Sequence, residues 1–99
     1  MYVLRYSEGV ADDLADLRAY ERKQILDRIE EQLTHQPTRQ TRNKKRLVGL
    51  VPPWEHVEPV WGLRVGAYRV FYDVTEEASV VTVRAIRHKP PHQTTEEIL

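Results

Sequence analysis

The sequence of 99 residues contains no cysteine and no long apolar run. Without cysteine there is no disulfide framework, no thiolate nucleophile and no thiolate ligand for a metal ion. Because a chain this small and without disulfides is typical of a reducing compartment, we expect a cytoplasmic protein. The first residues, MYVLRYSEGV, lack the basic flank and apolar core of a secretory signal, and no segment is apolar over the length needed to span a membrane. The length predicts a single domain over residues 1–99.

A net charge is also missing, because 15 Lys and Arg residues are balanced by 15 Asp and Glu residues. This balance argues against a nucleic-acid binder that depends on bulk charge. The charges are unevenly distributed along the chain. Residues 1–36 carry five basic and eight acidic residues, whereas residues 37–89 carry ten basic and five acidic residues. The sequence therefore predicts an acidic first third and a basic remainder.

The periodicity of apolar residues predicts two helices and four strands. Apolar residues recur at helical spacing after Ser7, a candidate N-cap, and again from Tyr20 to Gln36, where Pro37 ends the helix. Strand-like segments occupy residues 2–6, 60–65, 68–74 and 80–86. We therefore expect an α+β domain with the order β-α-α-β-β-β, in which an antiparallel helix pair packs on one face of a twisted, mainly antiparallel sheet.

The segment RVGAYR, residues 64–69, predicts the register of a hairpin. Gly66 and Ala67 fit a two-residue type II′ turn, which places Arg64 opposite Arg69. Since side chains alternate between the faces of a strand, the two arginines share one face. The other face collects apolar and aromatic residues that can cover the helices: Trp61, Leu63, Val65, Tyr68, Val70, Tyr72 and Val74.

Two arginines placed opposite each other need an explanation, since like charges in this position destabilise a sheet by up to about 1 kcal/mol. One interpretation is that they pair with Glu58 or Asp73 as ordinary surface charges. The other is that they bind an anion, because guanidinium groups bind phosphate in a bidentate manner. The next hairpin returns a further basic segment toward Arg69, and register decides which of its residues shares the arginine face: Arg87, His88 and Lys89.

Residues 37–46, PTRQTRNKKR, carry five positive charges and no apolar residue, which is typical of a loop or of the frayed entry to a strand. Their basic residues either contact RNA phosphates or are simply solvated: Arg39, Arg42, Lys44, Lys45 and Arg46. The histidines lack the spacing of metal ligands, so we expect no metal site: His35, His56, His88 and His92.

The order of the predicted elements, together with LRVGAYRVFYDV and the later AIRHK, resembles the RelE/ParE toxin superfamily of toxin-antitoxin modules. The resemblance covers nearly the whole chain, and the arginine-tyrosine-arginine hairpin is its most specific part. It implies a toxin of a type II module that binds the ribosomal A site and cuts messenger RNA there, without a metal or other cofactor. The implied partners are a cognate antitoxin, the ribosome and messenger RNA.

The resemblance also implies the catalytic residues. Arg69 matches the hairpin arginine of the family, Arg64 matches another basic position in the same hairpin, and His88 with Lys89 matches the C-terminal basic or histidine position. Arg87 is a further candidate because the next hairpin brings it back toward Arg69. Two lysines that some relatives carry before the hairpin are replaced here by Val60 and Gly62, and the C-terminal tyrosine of many active members is absent. The alternatives are therefore a ParE-like toxin that binds DNA gyrase, or a relative without nuclease activity that acts only in antitoxin complexes.

Overall fold

The hairpin predicted from residues 60–74 forms the middle of a five-stranded sheet. The computed structural model describes all 99 residues. Its elements are β1 (Val3–Tyr6), α1 (Glu8–Ala15), α2 (Ala19–Leu33), β2 (Lys44–Leu47), β3 (Val60–Val65), β4 (Tyr68–Thr75) and β5 (Val80–His88), with short 3₁₀ turns at Glu76–Ala78 and Glu96–Ile98. The α+β fold class, with two helices on one face of the sheet, is confirmed.

The strands lie in the order β1-β5-β4-β3-β2. β1 runs parallel to β5, and the other three pairs are antiparallel. The predicted hairpin register is confirmed, since Val65 lies opposite Tyr68 and Arg64 lies opposite Arg69. Gly66 has a φ of +56°, which only glycine adopts without strain at the first turn position.

The face of the sheet under the helices carries the main core. α1 lies against β5 and α2 against β3. The apolar stripes of the two helices supply Val10, Ile25, Ile29 and Leu33, all at most 1% exposed. They pack on the alternate residues that the hairpin pattern predicted, including Trp61, Leu63, Val65, Val70 and Tyr72. Neither helix has the length and apolar character needed to cross a membrane.

Two features of the fold differ from the sequence prediction. The basic segment before residue 47 is predicted as a loop or a frayed strand entry and is not counted as a strand, but its end forms β2, so the order is β-α-α-β-β-β-β. β2 forms because β3 supplies hydrogen-bonding partners along its length, a tertiary effect that local composition does not carry. In addition, α2 ends at Leu33 rather than Gln36. The side chain of Thr34 there turns back to the carbonyl of Glu30, which competes with continuation of the helix.

A second, smaller apolar cluster covers part of the opposite face of the sheet. It consists of Leu50, Phe71, Ala85 and Ile98, with Leu47, Trp54 and Leu99 packed against it. The loop after β2 and the C-terminal 3₁₀ turn therefore both fold onto the sheet. Phe71 and Ala85 are each 1% exposed as a result. This cover stops before the hairpin end of the sheet, where the arginines lie.

Candidate nucleic-acid interface

Three arginines lie side by side across the sheet. Arg64 on β3 is opposite Arg69 on β4, and Arg69 is in turn opposite Arg87 on β5. The two-residue turn sets the first pairing, and β5 joins without a register shift until after Phe71. The register of β5 therefore places Arg87, rather than His88 or Lys89, directly beside Arg69.

A cleft of about 210 Å³ opens beside the first two of these arginines. Five cationic side chains and no carboxylate line it. Its full lining is Arg42, Asn43, Lys45, Leu47, Gly62, Arg64, Arg69, Phe71, Lys89 and Thr95. We call this the cationic cleft.

Arg69 is held in a fixed position in the cationic cleft. Its Nη1 donates hydrogen bonds to the backbone oxygens of Tyr68, at 2.8 Å, and Gly66, at 3.0 Å. Burial, and then the adjacent Arg64 charge, lower the pKa of the Arg69 guanidinium. An arginine nevertheless stays protonated at neutral pH. The cleft therefore presents a permanent, oriented positive charge.

The carboxylates considered as partners for these arginines are engaged elsewhere. Asp73, 1% exposed, accepts a hydrogen bond from Arg84 Nε at 2.8 Å and another from the backbone N–H of Val57 at 2.9 Å. Glu58 lies 3.1 Å from His56. Neither Arg64 nor Arg69 forms an ion pair within the chain. The interpretation as an ion pair with Glu58 or Asp73 is therefore wrong, and the two arginines have no carboxylate partner within the chain.

The shape of the cationic cleft depends on the missing side chain at Gly62. Gly62 is paired with Lys45 on β2 and with Phe71 on β4, so all three lie on the cleft side of the sheet. A Cβ atom at this position would lie 3.3 Å from Leu47 Cδ1. A side chain at this position would have to displace Leu47 and would take up space in the cleft that Gly62 leaves open.

Two of the five expected catalytic residues lie outside the cationic cleft. Arg87 turns away from Arg69, because its Nη1 donates to Asp13 Oδ2 at 2.9 Å and its guanidinium lies 5.3 Å from the Trp54 ring centre. His88 lies opposite Tyr68, on the helix face of the sheet. The centres of the His88 and Tyr68 rings are 5.4 Å apart, in an edge-to-face contact. Arg64, Arg69 and Lys89 are brought together as expected.

The basic segment before β3 also divides. Arg42 and Lys45 line the cationic cleft, whereas Arg39 and Arg46 are exposed outside it. Lys44 was expected to contact RNA, and this expectation is wrong for its position. It is 4% exposed, and its Nζ donates to the carbonyls of Gln32 at 3.0 Å and Gln36 at 2.8 Å. Burial, and then the charge of Arg39, lower the pKa of the Lys44 ammonium.

Sequence reasoning missed the uncharged part of the cleft. The period-two pattern that put Arg64 and Arg69 on one face also puts Gly62 and Phe71 there, so these two could have been found. Asn43 and Thr95 carry no such signal, because they come from a loop and from the C-terminal segment. No three histidine, aspartate or glutamate side chains lie close enough together to hold a metal ion.

The chemistry of the cationic cleft is that of an anion site. Lys and Arg side chains only donate hydrogen bonds, and five of them converge on one concave surface. Phosphate oxygens satisfy such donors, and guanidinium groups bind them in a bidentate manner. A chain of phosphates would also relieve the repulsion between the opposed arginines.

Comparison with solved structures identifies the fold. The isolated RelE toxin of Escherichia coli superposes with a TM-score of 0.70 at 21% identity, covering 98% of this chain and 94% of that chain. A chain of the archaeal RelE-RelB complex from Pyrococcus horikoshii OT3 gives 0.69 at 20% identity, covering 94% and 98%. A chain of the RelBE2 toxin-antitoxin complex from Mycobacterium tuberculosis gives 0.69 at 20% identity, covering 89% and 98%.

The sequence itself identifies the family. No curated protein sequence matches the chain. Residues 4–89, however, match the sequence model of the ParE toxin of type II toxin-antitoxin system, parDE. This match runs from β1 to the end of β5 and includes Arg64, Arg69 and Lys89. The chain therefore belongs to the RelE/ParE family of type II toxin-antitoxin toxins.

Proposed function

We propose that this toxin is an endoribonuclease that cuts messenger RNA on the ribosome, and that the cationic cleft is where it binds the RNA backbone. The observation that carries the proposal is the cleft lining of five cations without a carboxylate. In a protein of zero net charge, such a concentration requires a local reason. A polyanionic substrate provides one, because each neutralised phosphate contributes to affinity.

The proposed reaction is an internal transesterification of RNA. The 2′-oxygen forms a bond to the adjacent phosphorus, and the bond from phosphorus to the 5′-oxygen breaks. The 2′-hydroxyl loses its proton to a base, and the leaving 5′-oxygen gains a proton from an acid. Negative charge grows on the phosphate oxygens in the transition state. Arg64 and Arg69 would stabilise that charge, in keeping with the family resemblance, which implies chemistry without a metal or cofactor.

Proton transfer in the cationic cleft would depend on basic side chains. No carboxylate and no imidazole line it. The available groups are the amino groups of Lys45 and Lys89, because the Arg69 guanidinium stays protonated and serves as a fixed positive charge. We therefore assign the reaction to Arg64, Arg69, Lys45 and Lys89. Arg87 and His88 are left out because they lie outside the cleft.

The proposed partners follow from the same surface. A cognate antitoxin that presents acidic side chains would fill the cationic cleft and compete with RNA. A cognate antitoxin is in keeping with two of the similar structures, the RelBE2 toxin-antitoxin complex from M. tuberculosis and the RelE-RelB complex from P. horikoshii. An antitoxin that neutralises the arginines should bind more weakly as the salt concentration rises.

Induced expression with mapping of cellular messages by primer extension tests the nuclease. We expect cuts within translated codons and growth arrest for the parent chain. Arg69→Ala should lower the cleavage rate by on the order of 100-fold, because it removes one charge-stabilising group. Arg69→Lys should fall between the two, since it keeps the charge but not the bidentate geometry.

The matched control is Arg5→Ala, because Arg5 is an exposed strand arginine on β1, at the opposite edge of the sheet from β2. It should cleave like the parent chain. Melting temperatures of the purified variants separate a lost contact from a lost fold. Unchanged cleavage by a folded Arg69→Ala protein would contradict the assignment of the cleft.

The second candidate function is a ParE-like toxin that binds DNA gyrase, and the match to the ParE family favours it. A gyrase supercoiling assay with added toxin separates the two. Inhibited supercoiling without cuts in cellular messages would replace the nuclease by the gyrase poison. Cuts without any effect on supercoiling would remove the alternative.

A further inference from the structure

The cationic cleft has a shortage of hydrogen-bond acceptors. Its five charged side chains can only donate hydrogen bonds. Leu47, Gly62 and Phe71 offer no polar side-chain atoms. Asn43 and Thr95 are the remaining lining residues, and only their side chains can accept. A ligand group that must donate a hydrogen bond inside the cleft therefore has two side-chain acceptors available.

Both acceptors are held in place and left free. The backbone oxygen of Asn43 accepts a hydrogen bond from the N–H of Arg64 at 2.7 Å, which ties it to the end of β3. Thr95 begins the C-terminal turn, which is anchored by Ile98, 9% exposed, in the second apolar cluster. The neighbouring Thr94 hydroxyl accepts a hydrogen bond from the N–H of Glu97. The side chains of Asn43 and Thr95 take part in no hydrogen bond within the chain.

A nucleic-acid backbone has one neutral group that donates, the ribose 2′-hydroxyl of RNA. Phosphate oxygens and the ring oxygen of the sugar only accept, and deoxyribose lacks the 2′-hydroxyl. That hydroxyl is the group by which proteins distinguish RNA from DNA at a given site. Cations that bind phosphates do so equally in both nucleic acids. Discrimination in this cleft has to come from its acceptors.

We propose that Asn43 and Thr95 are the residues that select RNA over DNA, by accepting a hydrogen bond from a ribose 2′-hydroxyl while the basic residues hold the adjacent phosphates. This assignment rests on the proposed function of the cationic cleft. The two residues come from separate segments, Asn43 from the residues just before β2 and Thr95 from the start of the C-terminal turn. The turn is therefore part of the substrate site and not only a cover for the sheet.

Binding of short labelled oligonucleotides to the full-length chain tests this proposal by fluorescence anisotropy at low salt. The probes share one sequence and are RNA, DNA and 2′-fluoro RNA, which keeps the sugar pucker of RNA but has no hydroxyl to donate. The parent chain should bind RNA about 3- to 10-fold more tightly than either of the others, the range expected for one net hydrogen bond. Equal affinity for the three probes would overturn the proposal.

The variants locate the discrimination. Thr95→Val and Asn43→Ala should each lower RNA affinity by a few fold and leave DNA affinity unchanged, so that the RNA to DNA ratio falls. Thr95→Ser keeps the hydroxyl and should keep the ratio. Thr94→Val disturbs the same turn without altering the cleft lining, and it should also keep the ratio. An equal loss of RNA preference in Thr94→Val, or an unchanged ratio in both Thr95→Val and Asn43→Ala, would contradict a direct contact.

Arg69→Ala makes failure of this inference distinguishable from failure of the proposed function. If the cleft binds nucleic acid, this change should weaken RNA and DNA to the same extent, because it removes a phosphate contact. Weakening by Arg69→Ala with no effect of the acceptor variants would leave the cleft assigned and refute the selection of RNA. No effect of Arg69→Ala on either nucleic acid would refute both.

Discussion

The two faces of the sheet are built from the same strands and differ in how their side chains are satisfied. On the helix face every central position is apolar, and residues such as Leu63 and Val70 are completely buried. On the opposite face the outcome changes along the strands. Near Asp73 the charge is buried and paired with Arg84, under the loop that supplies the Val57 N–H. Near the hairpin, Arg64 and Arg69 are opposed to each other without a carboxylate.

One end of this face is therefore covered and contributes to the stability of the fold, whereas the hairpin end is left without a cover. The chain pairs a buried charge where the second apolar cluster covers the sheet. It does not do so at the turn end of the same strand, β4, although it contains as many acidic as basic residues. Folding therefore gives Arg64 and Arg69 no carboxylate partner, and the proposed binding of RNA is what would use them.

The largest effect should come from the helix face. Leu63 is 0% exposed and belongs to the main core. Leu63→Ala should lower the free energy of unfolding by about 2 to 5 kcal/mol, because it loses buried apolar surface and leaves a cavity. Urea unfolding followed by circular dichroism measures this change. A loss below about 1 kcal/mol would show that the two faces do not differ in stability as the packing implies.

An intermediate effect should come from Lys44, a basic residue of β2 that serves the fold. Its ammonium donates to two carbonyls at and beyond the end of α2. Lys44→Met keeps the apolar stem but removes both donors, and it should cost about 1.5 kcal/mol in unfolding free energy. The next residue provides the control: Lys45→Met should leave unfolding nearly unchanged and weaken nucleic-acid binding. Equal unfolding costs at both positions would contradict this division of roles.

The pair Lys44 and Lys45 shows where sequence reasoning stops. Period-two alternation in β3 and β4 was sufficient to predict the hairpin register, the core face and the opposition of Arg64 and Arg69. In the basic segment there is no apolar residue to define a face, so alternation gives no prediction there. Only the pairing with β3 turns Lys44 toward α2 and Lys45 toward the cleft.

The second apolar cluster was hidden for a different reason. Leu50 and Trp54 lie in a short apolar segment that is interrupted by glycine and proline, and Ile98 follows two glutamates, so none of the three belongs to a periodic pattern. They come together only because the loop after β2 and the C-terminal turn meet on Phe71. The same long-range packing turns Arg87 toward Asp13 and Trp54, which its strand position alone does not predict.

The smallest expected effect is a gain in stability, whereas the two preceding substitutions should lower it. It tests the comparison between the faces most directly. Arg64 and Arg69 lie opposite each other, and like charges in this arrangement cost up to about 1 kcal/mol. Because Arg64 is exposed, water and salt screen part of this repulsion. Arg64→Gln should therefore raise the free energy of unfolding by about 0.5 kcal/mol at low salt and by less at high salt.

Arg5 provides the matched control for this gain, since it is an exposed strand arginine that lies opposite Thr82. Arg5→Gln should leave stability unchanged at either salt concentration. The same Arg64→Gln change should weaken RNA binding and cleavage, because it removes a phosphate contact. A variant that becomes more stable while it loses function would show that Arg64 lowers the stability of the fold and serves binding. If Arg64→Gln instead destabilises the chain at low salt, the opposed arginines contribute to folding, and the distinction between the two ends of this face would not hold.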